Sequence, residues 1–388
     1  MVGTSIFRIL VWTELVNGLI GSEMKKRVVV AMSGGVDSSV VAAMMVERGY
    51  DVIGITIKTY KYEDVGGNVG NENTCCSLDG INDARAVAAK LGFPHYVLDF
   101  SEKFGHEVIE NFVDEYLAGR TPNPCVICNR KIKWEELLRK SSALGADFIA
   151  TGHYAKVKVN AQTGRYYVSH GRDESKDQSY ALWGLTQESL SKTLFPLAEM
   201  TKVESRALGE SFGLANMHKP ESYEICFIPD NNYERFLKER RPELEKEVDG
   251  GEMMMDGSVV GHHRGIPLYT IGQRKGLGIA MGEPVYVTAI DSRTNSIELG
   301  TEGKLYRSVL AASRLNMQKY ADCRTPLRVN AKVRYKDSGG MATIQQIDDE
   351  RVRVRFDEKR RAITPGQSVV FYEGDDIVGG AIIDEIVD

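Results

Sequence analysis

A run of apolar residues long enough to cross a membrane is missing. The stretch Ile6-Phe7-Arg8-Ile9-Leu10-Val11-Trp12 is broken by Arg8 and followed by Glu14, so no membrane segment is expected. Cysteine is sparse, six in 388 residues, and comes without a secretory signal. That argues against a disulfide scaffold and makes a reducing cytoplasm the expected compartment, where thiols are chemical or buried rather than bridged. Excess positive charge is missing as well. At a formal net charge of −5 the chain does not advertise a nucleic-acid binder, and any such surface must be local. The lysine-bearing phosphate loop G-x-x-x-x-G-K-[ST] is absent, which argues against an ordinary phosphate-transferring NTPase. The paired histidines His262-His263 have no further ligands at metal-site spacing, and no metal site is expected.

What is there starts with Ala31-Met32-Ser33-Gly34-Gly35-Val36-Asp37-Ser38-Ser39. It follows the β-branched run Arg27-Val28-Val29-Val30 and opens a segment, 40–49, that reads as a helix ended by glycine. Gly34 and Gly35 free the backbone to turn, so that amide N–H groups and serine hydroxyls can converge on an anion at a helix N-terminus. A plain Gly-Gly turn with a serine–aspartate helix cap is the ordinary alternative.

The length predicts two or three domains, and the balance of 42% hydrophobic and 27% charged residues is that of a soluble globular protein. Met24-Lys25-Lys26 reads as a natural start, leaving 1–23 as an extension without assigned function. Residues 51–57 read as a second parallel strand, with Ile57 at the end where nucleotides bind in open α/β sheets. A glycine- and asparagine-rich loop spans 66–73. Cys75-Cys76 read as structural before a helix over 84–91, and 94–100 as a strand. In Thr121-Pro122-Asn123-Pro124-Cys125-Val126-Ile127-Cys128 the prolines hold the chain extended before a helix from about Ile132. Arg130, Lys131 and Lys133 make an electropositive setting that favours thiolate. Residues 147–150 read as a strand entering Thr151-Gly152-His153-Tyr154, whose ordinary reading is a capping turn. Cys226, among Ile225, Phe227 and Ile228, reads alone as a core residue. Beyond it, closely spaced glycines mark a small central domain. From about residue 303, short strands at 331–335, 342–347, 352–356, 368–372 and 377–383 suggest a β-barrel. Its many arginines and lysines fit either a solvated strand face or phosphate-backbone contact.

The loop Ser33-Gly34-Gly35-Val36-Asp37-Ser38 resembles the pyrophosphate loop of the ATP pyrophosphatase superfamily, whose members adenylate a substrate with ATP. Together with the stretches at 121–129, 150–154, 176–180, 225–228 and 269–278, in the same order, it resembles the tRNA-specific 2-thiouridylase family. The resemblance implies an α/β, parallel-sheet ATP-pyrophosphatase domain (24–221), a small central domain (222–302) and a C-terminal β-barrel (303–388). It implies sulfur transfer to the 2-carbonyl of a wobble uridine in the tRNA anticodon, using ATP with Mg²⁺ and a persulfide sulfur-donor protein. By the same resemblance Ala31, Met32, Ser33, Gly34, Gly35, Val36, Asp37, Ser38, Ile57 and Gly152 contact the nucleotide. Cys128 falls on the nucleophile and Cys226 on the persulfide carrier. Asn123, Pro124 and Cys125 touch the target base, and His153, Lys176, Asp177, Gln178, Arg334, Tyr335 and Gln367 touch tRNA. Many relatives carry aspartate where this chain has Cys125, so no acid role transfers there.

A monomer or weak dimer is expected. Two other readings remain open on sequence: a pyrophosphate-loop ligase or amidotransferase with an amine acceptor, and a non-catalytic RNA-binding or redox-sensing protein.

Overall fold

A computed structural model describes residues 25–60, 78–219, 225–228, 230–243 and 250–388. The extension 1–23, the loop at 66–73 and Cys75-Cys76 lie outside the described residues.

The first sheet is parallel throughout. Strands β1 (Arg27–Ala31), β2 (Asp51–Lys58), β3 (His95–Asp99) and β4 (Phe148–Ala150) belong to it. The chain then leaves as a hairpin, β5 (Ala155–Val159) and β6 (Tyr166–His170), and returns with β7 (Thr193–Leu194). The order is β3-β2-β1-β4-β7. Val28, Val29 and Val30 are fully buried because helices cover both faces of the sheet. Alternation splits them between two cores: Val29, Ile53, Ile55 and Ile149 face one, Val28, Val30, Val52 and Ala150 the other. Helix α1 (Val36–Glu47) is buried over most of its surface, which is why its sequence is apolar nearly all round. It ends as the glycine predicts, with Gly49 at φ 79° and its N–H donating to Val46 O at 2.9 Å. Helix α2 (Leu78–Leu91) follows.

The cysteine segment departs from expectation. Its helix does not wait for Ile132: α3 (Pro124–Cys128) starts at Pro124, which occupies the first turn, where a missing N–H costs nothing. It continues through a wider π-type turn, Asn129–Glu136, into α4 (Leu137–Ala143). Both Cys125 and Cys128 are therefore helical. Helix α5 (Lys202–Ser211) packs against α1, and α6 (Tyr233–Arg240) leads to the second domain.

The central sheet contains β8 (Glu252–Met255), β9 (Ser258–His262), β10 (Tyr286–Asp291) and β11 (Ser296–Gly300) in the order β10-β11-β8-β9. His263 is buried there. Its Nδ1 accepts from Gly265 N–H at 3.0 Å and its Nε2 lies 3.0 Å from Asn295 O, so the backbone occupies both ring nitrogens.

The C-terminal strands are β12 (Tyr306–Met317), β13 (Leu327–Lys332), β14 (Gly340–Gln346), β15 (Val352–Arg361), β16 (Ser368–Glu373) and β17 (Asp376–Ile386). The ladder β12-β15-β14-β13-β16-β17 closes through β12–β17 pairing into a barrel. One expected strand is displaced. Residues 333–337 form a turn, in which Asp337 Oδ2 accepts from Val333 N–H at 3.1 Å and Asp337 N–H donates to Arg334 O at 3.1 Å. Arg334 and Tyr335 thus project from a turn. The β5–β6 hairpin, unexpected from the sequence, adds to this sheet beside β17, where Lys158 meets Asp376 at 3.0 Å.

Candidate active site

In an open parallel sheet, ligands bind beyond the carboxyl ends of the strands where the strand order reverses. Here that point lies between β1 and β4. The loop after β1 is anchored at its base: Met32 N–H donates to Ile55 O at 2.8 Å, and Thr56 Oγ1 donates to Met32 O at 2.7 Å. Its own serines then shape it. Ser33 N–H donates to Ser38 Oγ at 3.2 Å and Gly35 N–H to Ser33 Oγ at 3.4 Å. Ser38 and Ser39 hydroxyls both donate to Gly35 O, at 3.1 and 2.9 Å. Gly34 has φ 75°, and a Cβ there would overlap the Gly80 carbonyl of α2. Gly35 caps α1 with no side-chain hydrogen bond. Gly152, arriving from β4, lies against this turn so closely that a Cβ would stand 2.8 Å from Asp37 Cβ and 3.0 Å from Ser38 N. The structure therefore brings Ser33, Gly34, Gly35, Val36, Asp37, Ser38 and Gly152 together. Ala31 and Ile57 sit half-buried at neighbouring strand ends, on the margin of one core.

Asp37 is not an open carboxylate. Lys202 Nζ reaches its two oxygens at 2.7 and 2.8 Å, and Tyr154 OH donates to Oδ1 at 2.9 Å. Asn216 Nδ2 donates to Gly34 O at 2.8 Å and Ser39 Oγ at 2.9 Å. Sequence reasoning missed Lys202 and Asn216. The T-x-x-E pattern Thr201–Glu204, a capping box in the structure, signals the start of α5 but not that its lysine turns back to the loop.

Asn123, half-buried, stands at the N-cap of α3 and Pro124 is buried in its first turn. Cys125 is exposed, and Cys128 is half-buried one turn on. Cys226 is half-buried rather than a core residue. Its neighbour Phe227 takes the core position, with ring centroids 5.8, 5.3 and 5.3 Å from Phe104, Phe112 and Phe236. Cys128 and Cys226 border the same apolar cluster. Cys323, in contrast, is buried in the barrel, and burial pushes its thiol pKa up to about 11. The electropositive setting of α3 is partly spent, since Lys131 pairs with Glu135 at 3.1 Å.

His153 has its Nδ1 2.7 Å from Thr151 Oγ1 and its ring 5.4 Å from Trp134 and 5.9 Å from Phe195. Burial, with the nearby Lys133 cation, holds its pKa well below the ordinary histidine value. Lys176, Asp177 and Gln178 form a half-buried loop. Gln178 Oε1 accepts from Tyr154 N–H at 3.2 Å, and Asp177 O accepts from the Tyr335 hydroxyl at 3.0 Å. Arg334 and Gln367 line a cavity of about 360 Å³ shared by all three domains, with Thr121, Thr270, Gly272 and Arg361. Among the described residues, no group of three or more His, Cys, Asp or Glu side chains is arranged to hold a metal ion. No helix among them is long and apolar enough to cross a membrane.

Fold and loop define an α/β protein with a HUP-type, nucleotide-alpha-hydrolase-like sheet, followed by a small central domain and a closed β-barrel. Family models match 26–230 (tRNA methyl transferase HUP domain), 234–301 (tRNA methyl transferase PRC-barrel domain) and 307–383 (Aminomethyltransferase beta-barrel domain). The tRNA-specific 2-thiouridylase MnmA of Salinibacter ruber is 53% identical over 93% of this chain and 95% of its own. That of Cytophaga hutchinsonii is 54% identical over 92% and 97%. The chain belongs to the tRNA-specific 2-thiouridylase family. A solved 4-thiouridine synthetase–RNA complex with bound ATP overlaps 56% of this chain and 51% of its own at 18% identity, with a TM-score of 0.33.

Proposed function

We propose that this protein is a tRNA-uridine 2-sulfurtransferase that uses ATP to activate the 2-carbonyl of a wobble uridine and replaces the oxygen with sulfur. One observation carries the reading: the serine–glycine loop and Gly152 meet at the sheet's switch point, in a chain that holds two half-buried cysteines on the rim of one core. The loop fits a polyphosphate because its glycine turn and hydroxyls surround an uncapped helix start. ATP would be held there by residues 33–38, with Ile57 and Gly152 beside the nucleoside. Mg²⁺ accompanying ATP would neutralise phosphate charge.

The chemistry follows from what a uracil carbonyl lacks, a good leaving group. The uridine O2 attacks the α-phosphorus and pyrophosphate departs, leaving O2 adenylated and C2 bearing an AMP leaving group. Cys226 carries a terminal sulfur received from a persulfide donor protein, and that sulfur attacks C2 and expels AMP. Cys128 thiolate then attacks the Cys226 sulfur. The S–S bond to the base breaks, 2-thiouridine leaves, and a Cys128–Cys226 disulfide forms, to be reduced by a cellular thiol. Asn123, Pro124 and Cys125 would face the target base once it leaves the anticodon stack. The barrel and central domain would hold the RNA.

The test is Cys226→Ser. Thiolated tRNA should fall at least about a thousandfold while tRNA-dependent pyrophosphate release continues, as expected when a group acting in the bond-forming step is removed. Full thiolation by this variant overturns the persulfide role.

A further inference from the structure

Gly119 to Pro122, which end one residue short of the start of α3, are gripped by the other two domains. At Gly119 (φ 71°) a Cβ would stand 2.7 Å from Ile290 Cγ2 of the central sheet. Arg120 donates from Nη2 to Ile383 O at 3.2 Å and from Nη1 to Asp384 O at 3.4 Å, both on β17. Thr121 N–H donates to Pro365 O at 2.9 Å. Gln367 Nε2 donates to Thr121 O at 2.9 Å and Pro122 O at 3.2 Å. Gly366 (φ 89°) makes this approach possible, since a Cβ there would lie 2.8 Å from Thr121 O.

We infer that Gln367 is a positioning residue for the reaction, holding the backbone from which the cysteine helix starts. Its amide nitrogen carries two donor hydrogens, and both are directed at carbonyls of the catalytic domain. Pro122 and Pro124 restrict the backbone between that grip and α3, so the position of Thr121 and Pro122 passes to Cys125 and Cys128 with few soft torsions between. Gln367 also lines the three-domain cavity with Arg334. RNA gripped there would meet the residue that sets the helix. The inference rests on the reading of Cys128 as nucleophile, and its test separates the two.

Gln367→Met keeps length and removes the donor, and Gln367→Lys restores one. Thiolation kcat, tRNA Kd and the iodoacetamide rate at Cys128, read by peptide mass spectrometry without tRNA or ATP, are compared with the unsubstituted protein. For Gln367→Met we expect kcat down about tenfold, a Cys128 alkylation rate shifted at least about threefold and a Kd moved less than twofold, because small misplacement of a reacting group is costly. Gln367→Lys should recover most of both losses. An unchanged alkylation rate, or a Kd raised tenfold at unchanged kcat, overturns the inference and makes Gln367 an RNA contact alone. Should alkylation shift while Cys128→Ser still thiolates tRNA, the nucleophile assignment fails instead.

Discussion

The serine–glycine loop and the cysteine helix differ in how far along the chain their supports lie. The loop takes its shape from hydrogen bonds between residues two to five apart, Ser33 to Gly35, Ser38 to Ser33 and Ser38 to Gly35 among them, and Tyr154, Lys202 and Asn216 only brace it from 117 to 182 residues away. The segment leading into the cysteine helix is held at Thr121 by a glutamine 246 residues further on. A site closed by its neighbours fails at single positions, whereas one held from a distance shares its support among the latch, Arg120 and a packed core. Substitutions should therefore have sharper effects in the loop than around the helix.

Among substitutions that disturb support rather than the reacting sulfurs, the largest effect should come from Gly34→Ala. Its φ of 75° costs a side chain about 1–2 kcal/mol, and the obstructing atom is a backbone carbonyl that cannot swing aside. ATP affinity by calorimetry should fall at least about a hundredfold, since several converging donors are displaced together. Binding within threefold of the unsubstituted protein would mean that ATP is held elsewhere. A smaller effect is expected at Lys202, whose side chain is 11% exposed against 31% for its partner Asp37. Breaking a fully buried pair costs about 3–5 kcal/mol, and Asp37's access to water reduces this to about 1–3. Lys202→Met should raise KM for ATP about tenfold with a smaller change in kcat, because it turns loose one carboxylate at the loop without touching the cysteines. Lys202→Arg should fall between the two. An unchanged KM for Lys202→Met would show that Asp37 needs no cation to hold the loop.

The same contrast explains what was legible in the sequence. Val28–Val30, the Gly34-Gly35 pair and the helix-ending Gly49 encode local events, and the first strand, the turn and the helix end are where they were expected. Most of the barrel strands were readable for the same reason, as alternation is local; β15 buries Val352, Val354 and Phe356 and exposes Arg353 and Arg355. The displaced strand at 331–335 escaped because the side chain that makes the turn, Asp337, lies beyond it and is itself fixed by Arg360. Lys202 and Asn216 escaped because only tertiary packing returns them to the loop. The early start of α3 was available in principle: Pro124 suits the first helical turn as well as an extended chain, and the extended reading gave that too little weight.

The smallest effect concerns His153, which joins the two regions. It follows Gly152, which touches the loop, and its ring lies beside Trp134, in the π-type turn that continues the cysteine helix. Its folded pKa is lowered, first by burial and then by Lys133, while the unfolded chain takes up a proton near 6.5. Below that pH the unfolded state binds more protons than the folded one. Stability is therefore full above about pH 6.5 and is lost as pH falls toward the folded pKa, by at most about 1.4 kcal/mol per pH unit for one such group. His95, lowered by burial and by Arg85, contributes with the same sign. His153→Phe keeps a ring between Trp134 and Phe195 and removes only its share. The fall in Tm between pH 7.5 and 5.5 should shrink by about 2–4 °C, the shift expected of about 1 kcal/mol in a domain of this size. Equal falls in the two proteins would mean that the His153 ring is solvated well enough to protonate without loss, and that acid loosens the junction between loop and helix through other groups.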